Sequence, residues 1–480
     1  MKKIPILFLA ILTLGAVSCT KPGPTEEEQT RLYANTFARE MMKGYYLWNK
    51  EIENDLISWK DTEEPIAKVK QVRYKDASGK EIDRWTMLTD DFASFYGSVA
   101  GTGTTYGFDF QLYYYDKEHT SLVAVVTFTY PGGPAGQAGL KRGDAIVEVN
   151  GKTIPATDYS SLIQNELMGG SKLTVGLYGG RTLTMESREM YEDPVLLSKV
   201  FDCGGKKVGY LIYTSFTLDS YKELTDALTG FKKEGVSELI LDLRYNGGGF
   251  AVAEQFLASM IAPPDVVSSG AVLATEVYNA EMMKNIKDNK TYFKTAYKFT
   301  ANGKSYSFDV SGANPGLTKL YAIVAAGSAS ASEALLCELY PYMDITLVGE
   351  QTHGKYCAGW MVQAAEFYDE FADQLGKDFS EEGRKYTSGW GIYVMYSRFA
   401  DKNGETRCMP DGLAPDYDVE DDPLDGFELG DPRETMLAKT LSLCGYKAPA
   451  TTARRATRPA AREKVDAEPL RPNYGMRIAL

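Results

Sequence analysis

Three short segments carry the residue types that could cleave an acyl bond. Ser328, Ser330 and Ser332 stand at alternate positions, and Lys355 follows the middle serine by twenty-five residues. The glycine run Gly247–Gly249 comes after an apolar stretch upstream. A serine hydroxyl attacks a carbonyl once a base removes its proton, and exposed backbone amides stabilise the resulting oxyanion. Together the segments predict an acyl-transfer site.

Histidine, the usual base for such a serine, is scarce in this chain. His119 lies in a charged segment typical of an exposed turn, whereas His353 stands close to Lys355 and stays open as a candidate. A lysine is a recognised alternative, but only about one in 2,500 is neutral at pH 7 at its ordinary pKa. Burial lowers that pKa, and the apolar residues after Lys355 predict a dry pocket. A carboxylate beside the amine, such as Glu350, would raise it.

Two of these segments also have simpler interpretations. Ser330 and Glu333 are spaced as a capping box, in which the serine begins a helix and the glutamate returns to it. A serine at a helix start still lies where backbone amides favour negative charge. The glycine run could also hold a phosphate, but it lacks the patterns of nucleotide-binding loops.

Composition limits the remaining classes of function. The 480 residues predict about three domains at roughly 150 residues each. With 65 acidic against 52 basic residues the net charge is −13, which argues against a nucleic-acid partner. Cysteine spacing and the two histidines disfavour a zinc site. We therefore expect no metal and no cofactor.

The first residues predict export. Lysines precede an apolar run from Ile4 to Val17, which is too short to span a bilayer and suits a secretory signal. The sequence up to Cys19 resembles a bacterial lipoprotein signal, with Cys19 as the acylated residue. We expect 1–19 to be that signal and 20–27 a polar tether. The protein is then exported to the cell envelope, in the periplasm or at the outer membrane, and attached by lipid.

Periodicity divides the rest of the chain. Apolar residues at helical spacing predict a small helical region over 28–96. Strand patterns, with a hairpin turn at Asn150-Gly151, occupy 100–190. Strands and helices then alternate over 195–445, which predicts an α/β core. An insertion at about 265–315 is expected to form a lid or cradle wall, and 446–480 a flexible tail.

The pattern over 100–190 resembles a PDZ domain of the bacterial type, carried by the segment Pro134–Asp144 and its Ala-Gly-Leu-x-x-Gly-Asp ending. Such domains add an extended peptide to a sheet edge and hold its carboxylate with backbone amides. The resemblance implies a peptide-binding loop at Tyr106, Gly107, Phe108 and Asp109. A PDZ fold that only gates or spaces the enzyme is the alternative.

Four motifs over about 30–445 resemble, in order and spacing, the C-terminal processing or tail-specific serine peptidases. They are the PDZ segment, Asp242–Gly249, the serine run and the segment around Lys355. The resemblance implies a ClpP/crotonase-like α/β catalytic core with the PDZ domain upstream. It makes Ser330 the nucleophile and Lys355 the base, with oxyanion amides from Ala331 and from Gly248 or Gly249.

Two positions depart from the family pattern. Some members have glutamine four residues after the lysine, where this chain has Gly359, and some have aspartate eleven residues after the serine, where it has Pro341. A third catalytic residue is therefore open, and Gln363, Glu333 and Asp344 are the candidates.

The sequence thus predicts a serine endopeptidase that cleaves unfolded or C-terminally exposed protein segments through an acyl-enzyme. The alternative is a peptide-binding scaffold whose catalytic site has decayed, which the missing glutamine would support. A carbohydrate or lipid hydrolase is disfavoured because the chain lacks the Gly-x-Ser-x-Gly elbow.

Overall fold

A computed structural model describes residues 23–447, 463–465 and 476–479. Cys19 and the predicted signal lie outside these described residues. Within them, no helix combines the length and the apolar character that crossing a membrane requires.

The N-terminal region is mainly helical. Its elements are α1 (Glu26–Tyr45), α2 (Glu53–Ser58), α3 (Pro65–Val72), β1 (Met87–Thr89) and α4 (Phe92–Val99). Thr25 begins α1 with a capping box, because its hydroxyl accepts from the Glu28 N–H at 3.2 Å and its own N–H donates to the Glu28 carboxylate at 2.8 Å.

The next region is a β-rich domain. Its elements are β2 (Thr102–Thr105), β3 (Phe108–Tyr114), β4 (Ser121–Thr129), α5 (Pro134–Gln137), β5 (Ala145–Val149), β6 (Lys152–Pro155), α6 (Tyr159–Leu162), a π-helical segment (Ile163–Met168), β7 (Lys172–Leu177), β8 (Thr182–Glu186) and β9 (Arg188–Tyr191). The sheet order is β3-β4-β6-β5-β7-β8, so β3 is an edge strand. Asn150 and Gly151, with φ of 49° and 77°, form the predicted hairpin turn.

The third region alternates strands and helices. Its elements are β10 (Val195–Asp202), β11 (Lys207–Tyr213), α7 (Tyr221–Glu234), β12 (Glu238–Asp242), β13 (Gly248–Phe250), α8 (Ala251–Ile261), α9 (Pro264–Ser268), β14 (Val272–Tyr278), α10 (Ala280–Asn285), β15 (Lys290–Tyr292), β16 (Ala296–Ala301), β17 (Lys304–Asp309), β18 (Lys319–Val324), α11 (Ala331–Leu339), β19 (Asp344–Gly349), β20 (Cys357–Gln363), α12 (Ala364–Glu370), α13 (Ala372–Leu375), α14 (Lys377–Tyr386), β21 (Gly391–Ala400), β22 (Tyr417–Asp418), α15 (Thr435–Leu443) and, beyond it, β23 (Met476–Ala479).

One sheet of this region positions the chemistry. Its order is β10-β11-β12-β18-β19-β22, and β11, β12, β18, β19 and β22 run parallel. Because β12, β18 and β19 are parallel neighbours, their carboxyl ends lie at one edge. The glycine loop, the serine loop and the segment leading to Lys355 follow these three ends in turn. Residues far apart in sequence therefore meet there.

A second sheet joins distant parts of the chain. Its order is β13-β23-β20-β21-β14-β15, and β1 of the N-terminal region pairs antiparallel with β21. The predicted insertion therefore supplies β14 and β15 to a core sheet. It also contains the β16–β17 hairpin, whose turn residues Asn302 and Gly303 have φ of 44° and 74°.

The end of the chain differs from a tail that is flexible throughout. In the segment 463–465, the Glu463 carbonyl accepts from the Tyr114 N–H and the Val465 N–H donates to the Leu112 carbonyl, both at 3.0 Å. Further on, β23 lies between β13 and β20. No local pattern predicts these contacts, because the few apolar residues of the tail find their partners only in tertiary structure.

A buried arginine cluster holds the β-rich domain against the core. It consists of Arg142, Asp242, Arg244, Asp421 and Glu434. The Arg244 guanidinium donates to both oxygens of Glu434 at 2.7 and 3.0 Å, and Arg142 donates to Asp421 at 3.0 Å. Burial alone would raise the pKa of Asp421, but the two arginines outweigh it and lower that pKa to about 2. The Asp242-Leu243-Arg244 motif therefore serves structure.

Candidate active site

The serine run contains one hydroxyl that the fold leaves uncommitted. Ser328 Oγ donates to the Leu243 carbonyl at 2.8 Å, and Ser332 Oγ donates to the Asn246 carbonyl at 2.9 Å. Ser330 Oγ is buried and has no hydrogen-bond partner among the described residues. Its backbone, at φ 61° and ψ −108°, is strained for a serine by about 1–3 kcal/mol. The geometry favours Ser330 over its two neighbours.

Glu333 connects the serine to the lysine. One carboxylate oxygen accepts from the backbone N–H groups of Ser330 and Lys355, each at 2.9 Å. The other accepts from the Thr352 hydroxyl at 2.6 Å and the Gly354 N–H at 2.7 Å. Burial raises the pKa of Glu333 to about 7, and these four bonds oppose that rise. The Glu333 carboxylate thus holds the serine loop and the segment around Lys355 in place. The Ser330 hydroxyl does not make the other hydrogen bond of the predicted capping box.

Lys355 lies in the dry pocket that the sequence predicted. Its side chain is fully buried, with Nζ 4.9 Å from the centroid of the Trp85 ring, and donates to the Tyr393 hydroxyl at 3.1 Å. Burial lowers the pKa of Lys355 to about 7, against a smaller opposing effect of nearby acidic groups. Glu350 accepts from Lys464 at 3.2 Å instead. A substantial fraction of the amine is therefore neutral near pH 7.

Tyr393 fills the space left by the absent glutamine. A Cβ added to Gly359 would lie 2.2 and 2.3 Å from the Cε2 and Cζ atoms of the Tyr393 ring. A side chain at 359 and the tyrosine ring therefore exclude each other in this arrangement. The tyrosine hydroxyl makes a hydrogen bond to the lysine that such a glutamine could otherwise make.

The glycine loop presents one amide toward the serine side. The Gly248 N–H donates to Asn246 Oδ1 at 2.9 Å, so that amide is already engaged. Phe216 makes backbone bonds to the Gly248 carbonyl and the Phe250 N–H at 2.9 and 2.8 Å. Successive residues of a strand direct their N–H groups to alternate edges. Because Gly248 and Phe250 bond to Phe216, the Gly249 N–H points to the other edge of β13. Ala331 opens α11, where first-turn amides lack intrahelical partners.

Other sequence candidates lie elsewhere. Gln363 is at the far end of β20 from Lys355 and precedes α12, with its N–H donating to Glu366 at 3.4 Å. Asp344 begins β19 and pairs with Lys319 at 2.8 Å. The structure therefore brings Glu333 to the site but neither Gln363 nor Asp344.

The two histidines do not compete with the lysine. His353 Nε2 contacts the Arg84 guanidinium at 3.2 Å, and burial, helped by nearby Arg84 and Lys355, lowers its pKa to about 4. His119 stacks on Tyr114 with ring centroids 3.8 Å apart, in the β-rich domain.

The predicted peptide loop is part loop and part strand. Tyr106 and Gly107 precede β3, while Phe108 and Asp109 are its first residues. Tyr106 is buried, and its hydroxyl donates to the Gly169 carbonyl at 3.2 Å. Gly107 has a φ of 74°, and its carbonyl accepts from the Tyr130 N–H at 2.9 Å. A groove of about 670 Å³ lies between this segment and the π-helical residues Leu167 and Met168.

Sequence reasoning missed Trp85 and Tyr393. Trp85 belongs to the mainly helical N-terminal region, and Tyr393 lies on β21. Neither carries a local motif. The chain contains many aromatic residues, and the sequence does not show which of them lie beside Lys355.

Comparison with known proteins finds matches for two regions of the chain. Residues 207–419 match the model of peptidase family S41, and residues 125–173 match that of a PDZ domain. The region that holds Ser330 and Lys355 is therefore similar to peptidase family S41. The predicted α/β multidomain fold with an upstream PDZ domain is confirmed.

Named relatives are processing peptidases. The chain is 28% identical over 275 residues to the chloroplastic C-terminal processing peptidase of Tetradesmus obliquus, covering 54% of this chain and 52% of that protein. It is 26% identical over 245 residues to the carboxy-terminal processing protease CtpA of Bacillus subtilis, covering 50% and 45%. The chain spans about half the length of these relatives.

A solved structure resembles most of the fold. The crystal structure of a candidate S41 protease from Bacteroides fragilis NCTC 9343 aligns with a TM-score of 0.63 at 23% identity, covering 85% of this chain and 96% of that one. This likeness concerns the fold alone.

Proposed function

We propose that this chain is a serine endopeptidase that cleaves unfolded or C-terminally exposed polypeptide segments through an acyl-enzyme at Ser330. The observation that carries the proposal is the link through Glu333, which binds the backbones of Ser330 and Lys355 with one oxygen atom. It ties the uncommitted hydroxyl to a buried amine whose pKa is lowered to about 7.

Lys355 acts as the general base. Its neutral amine takes the Ser330 proton as Oγ attacks the scissile carbonyl, and the ammonium then protonates the leaving amine. Water hydrolyses the ester in the second half of the reaction. A lysine with its pKa near the operating pH is suited to both transfers.

The Gly249 and Ala331 amides stabilise the oxyanion. Gly249 is the better of the two glycine candidates because the Gly248 amide already donates to Asn246. The start of α11 adds the partial positive charge of a helix N-terminus beside the serine.

Tyr393 is a positioning residue for the lysine. Its hydroxyl accepts from Lys355 Nζ, and its ring stands where a glutamine at position 359 would begin. The missing glutamine therefore does not favour the decayed scaffold, because the chain supplies another hydrogen-bonding partner for the base.

The PDZ domain delivers the polypeptide. Its edge strand β3, the Tyr106–Asp109 segment and the adjoining groove suit an extended peptide added to the sheet. We place the enzyme in the cell envelope, held by a lipid on Cys19. Incorporation of an alkynyl fatty acid into wild type but not into Cys19→Ala supports that anchor, and equal labelling of both chains contradicts it.

Cleavage of unfolded casein tests the activity. Wild type releases peptides at pH 7–8, whereas Ser330→Ala and Lys355→Ala lose turnover by at least about 10²-fold. Ser311→Ala and Lys298→Ala change the same residue types at exposed positions of the insertion and keep wild-type turnover. Full activity in Ser330→Ala, or peptide binding without any cleavage or covalent labelling of Ser330, favours the scaffold instead.

A further inference from the structure

The core contains a slot that is one strand wide. β13 and β20 present facing edges, and β23 lies between them, parallel to both. Neighbouring strands lie about 4.8 Å apart, so the slot accepts one extended chain with backbone pairing on each side. Its occupant here is the chain's own segment Met476–Ala479.

The register places a carbonyl of this segment at the nucleophile. Met476 pairs with Gly248, and residue 477 pairs with Gly249. A Cβ added to Gly248 would lie 2.3 Å from Met476 O, 3.1 Å from Met476 C and 3.0 Å from Ser330 Cβ. The Met476 carbonyl and the Ser330 side chain therefore adjoin the same point. The edge of β13 that faces β23 is also the one to which Gly249 directs its amide.

Two apolar side chains anchor the segment. Met476 and Ile478 are 3% and 1% exposed, and both belong to the main hydrophobic core. Residues two apart on a strand point to one face. The slot therefore takes an apolar residue at the carbonyl beside Ser330 and another two residues later.

An upstream piece of the same tail occupies the PDZ edge. Residues 463–465 pair antiparallel with β3 through a bridge between Lys464 and Tyr113, and Val465 is buried in the PDZ core. Lys464 contacts Glu350 of the catalytic core at 3.2 Å. The tail thus contacts both places at which a peptide substrate would bind.

We propose that residues 476–479 are bound as the chain's own substrate, and that Ser330 cleaves the Met476–Arg477 bond in cis. The inference rests on the proposed peptidase activity and adds a first substrate and a preference for apolar residues. Cleavage separates the segment that begins at Arg477 and frees the slot for other extended peptides.

The reaction balances with water as the co-reactant. Ser330 Oγ bonds to the Met476 carbonyl carbon, and its proton passes to Lys355 Nζ. The carbon–nitrogen bond to Arg477 breaks as Lys355 protonates the departing nitrogen. Water then attacks the ester, leaving a carboxylate on Met476 and restoring the serine hydroxyl.

Intact-mass spectrometry of the full chain tests the proposal. Wild type is expected to end at Met476, whereas Ser330→Ala keeps Arg477 and the residues after it. Met476→Asp slows trimming at least tenfold, because a charged side chain must enter an apolar site. Met283→Asp, the same change on the exposed face of α10, trims as wild type does. The trimmed fraction at a fixed time stays constant over a hundredfold dilution.

Casein cleavage, measured in the same preparations, separates the two proposals. A wild type that digests casein and retains Arg477 overturns the self-cleavage and leaves the peptidase proposal intact. Trimming in Ser330→Ala, a cut at another bond, or dilution-dependent trimming also overturns it. A chain that neither digests casein nor trims itself overturns both.

Discussion

Two buried cations in this chain have opposite surroundings. Lys355 lies among Trp85, Tyr393 and apolar residues, and burial lowers its pKa to about 7. Arg244 is equally buried, but it contacts Asp242, Asp421 and Glu434 at 2.7 to 3.0 Å and stays charged. Both side chains are equally removed from water. The carboxylates in contact with Arg244 decide that it keeps its charge.

The difference separates chemistry from architecture. A buried amine whose pKa is lowered mainly by burial can give up its proton near neutral pH and can serve as a base. A buried guanidinium with three carboxylates is a permanent charge that links distant segments. In this chain Arg244 joins Asp242, at the end of β12, to the segment before α15. Together with Arg142, it also joins that strand to the PDZ domain.

Replacing each cation by methionine should separate the catalytic role of Lys355 from the structural role of Arg244. We expect the larger effect from the lysine change. Lys355→Met lowers the rate of Ser330 acylation by about 10²–10⁴-fold, because no base remains. It also raises the free energy of unfolding by about 1–4 kcal/mol, since an amine whose charged form is disfavoured by burial is replaced by an apolar side chain of similar volume. Covalent labelling with a fluorophosphonate and urea unfolding measure the two effects.

This gain in stability should be largest below pH 7. The folded pKa of Lys355 lies below its unfolded value, so the folded state binds the proton less readily and stability rises with pH between about 7 and 10. A Lys355→Met chain that is less stable than wild type at pH 6 would contradict the comparison.

The matched change at the arginine should act on stability instead. Arg244→Met leaves Asp242 and Glu434 without their main partner, removes one of the two arginines that contact Asp421, and lowers the free energy of unfolding by about 3–5 kcal/mol. Urea unfolding at pH 7 measures it. Lys206→Met, which breaks the half-exposed pair with Glu238, should cost no more than about 1 kcal/mol.

Glu333→Gln should weaken the connection between the two loops. An amide cannot accept all four donors, and the neutral group no longer raises the pKa of Lys355. We expect kcat/KM to fall by about 10–100-fold, consistent with losing charged hydrogen bonds of about 1.5–3 kcal/mol. The midpoint of the pH–rate profile should also move to lower pH, which a merely structural loss would not cause.

Tyr393→Phe should have the smallest effect. It removes one hydrogen bond to the base, worth about 0.5–1.5 kcal/mol, and lowers kcat by up to about tenfold with KM unchanged. Tyr393→Ala combined with Gly359→Gln should recover activity relative to Tyr393→Ala alone. If the tyrosine only fills space, the double variant should be no more active than Tyr393→Ala alone.

The sequence predicted the parts of this site that have local patterns. The Ser330-to-Lys355 spacing, the glycine run, the hairpin turn at Asn150-Gly151 and the dry surroundings of the lysine are all visible within short windows. The PDZ domain and the family were predicted from motifs of the same kind, and the comparisons confirm both.

What the sequence did not predict depends on tertiary contacts. Tyr393 lies 38 residues from Lys355 and reaches it only because β20 and β21 pair. Trp85 comes from the N-terminal region, which joins the catalytic sheet through β1. The tail was expected to be flexible because its apolar residues are sparse, yet Val465, Met476 and Ile478 each enter a core built by distant strands.

The pH dependence of Ser330 acylation tests the central claim most directly. The second-order rate constant for fluorophosphonate labelling, measured from pH 5 to 10 on wild type, follows the neutral fraction of Lys355. It should rise about tenfold per pH unit below pH 7 and level off above it. A rate that keeps climbing to pH 10, as for an ordinary lysine, or one that is independent of pH, would contradict a desolvated lysine base.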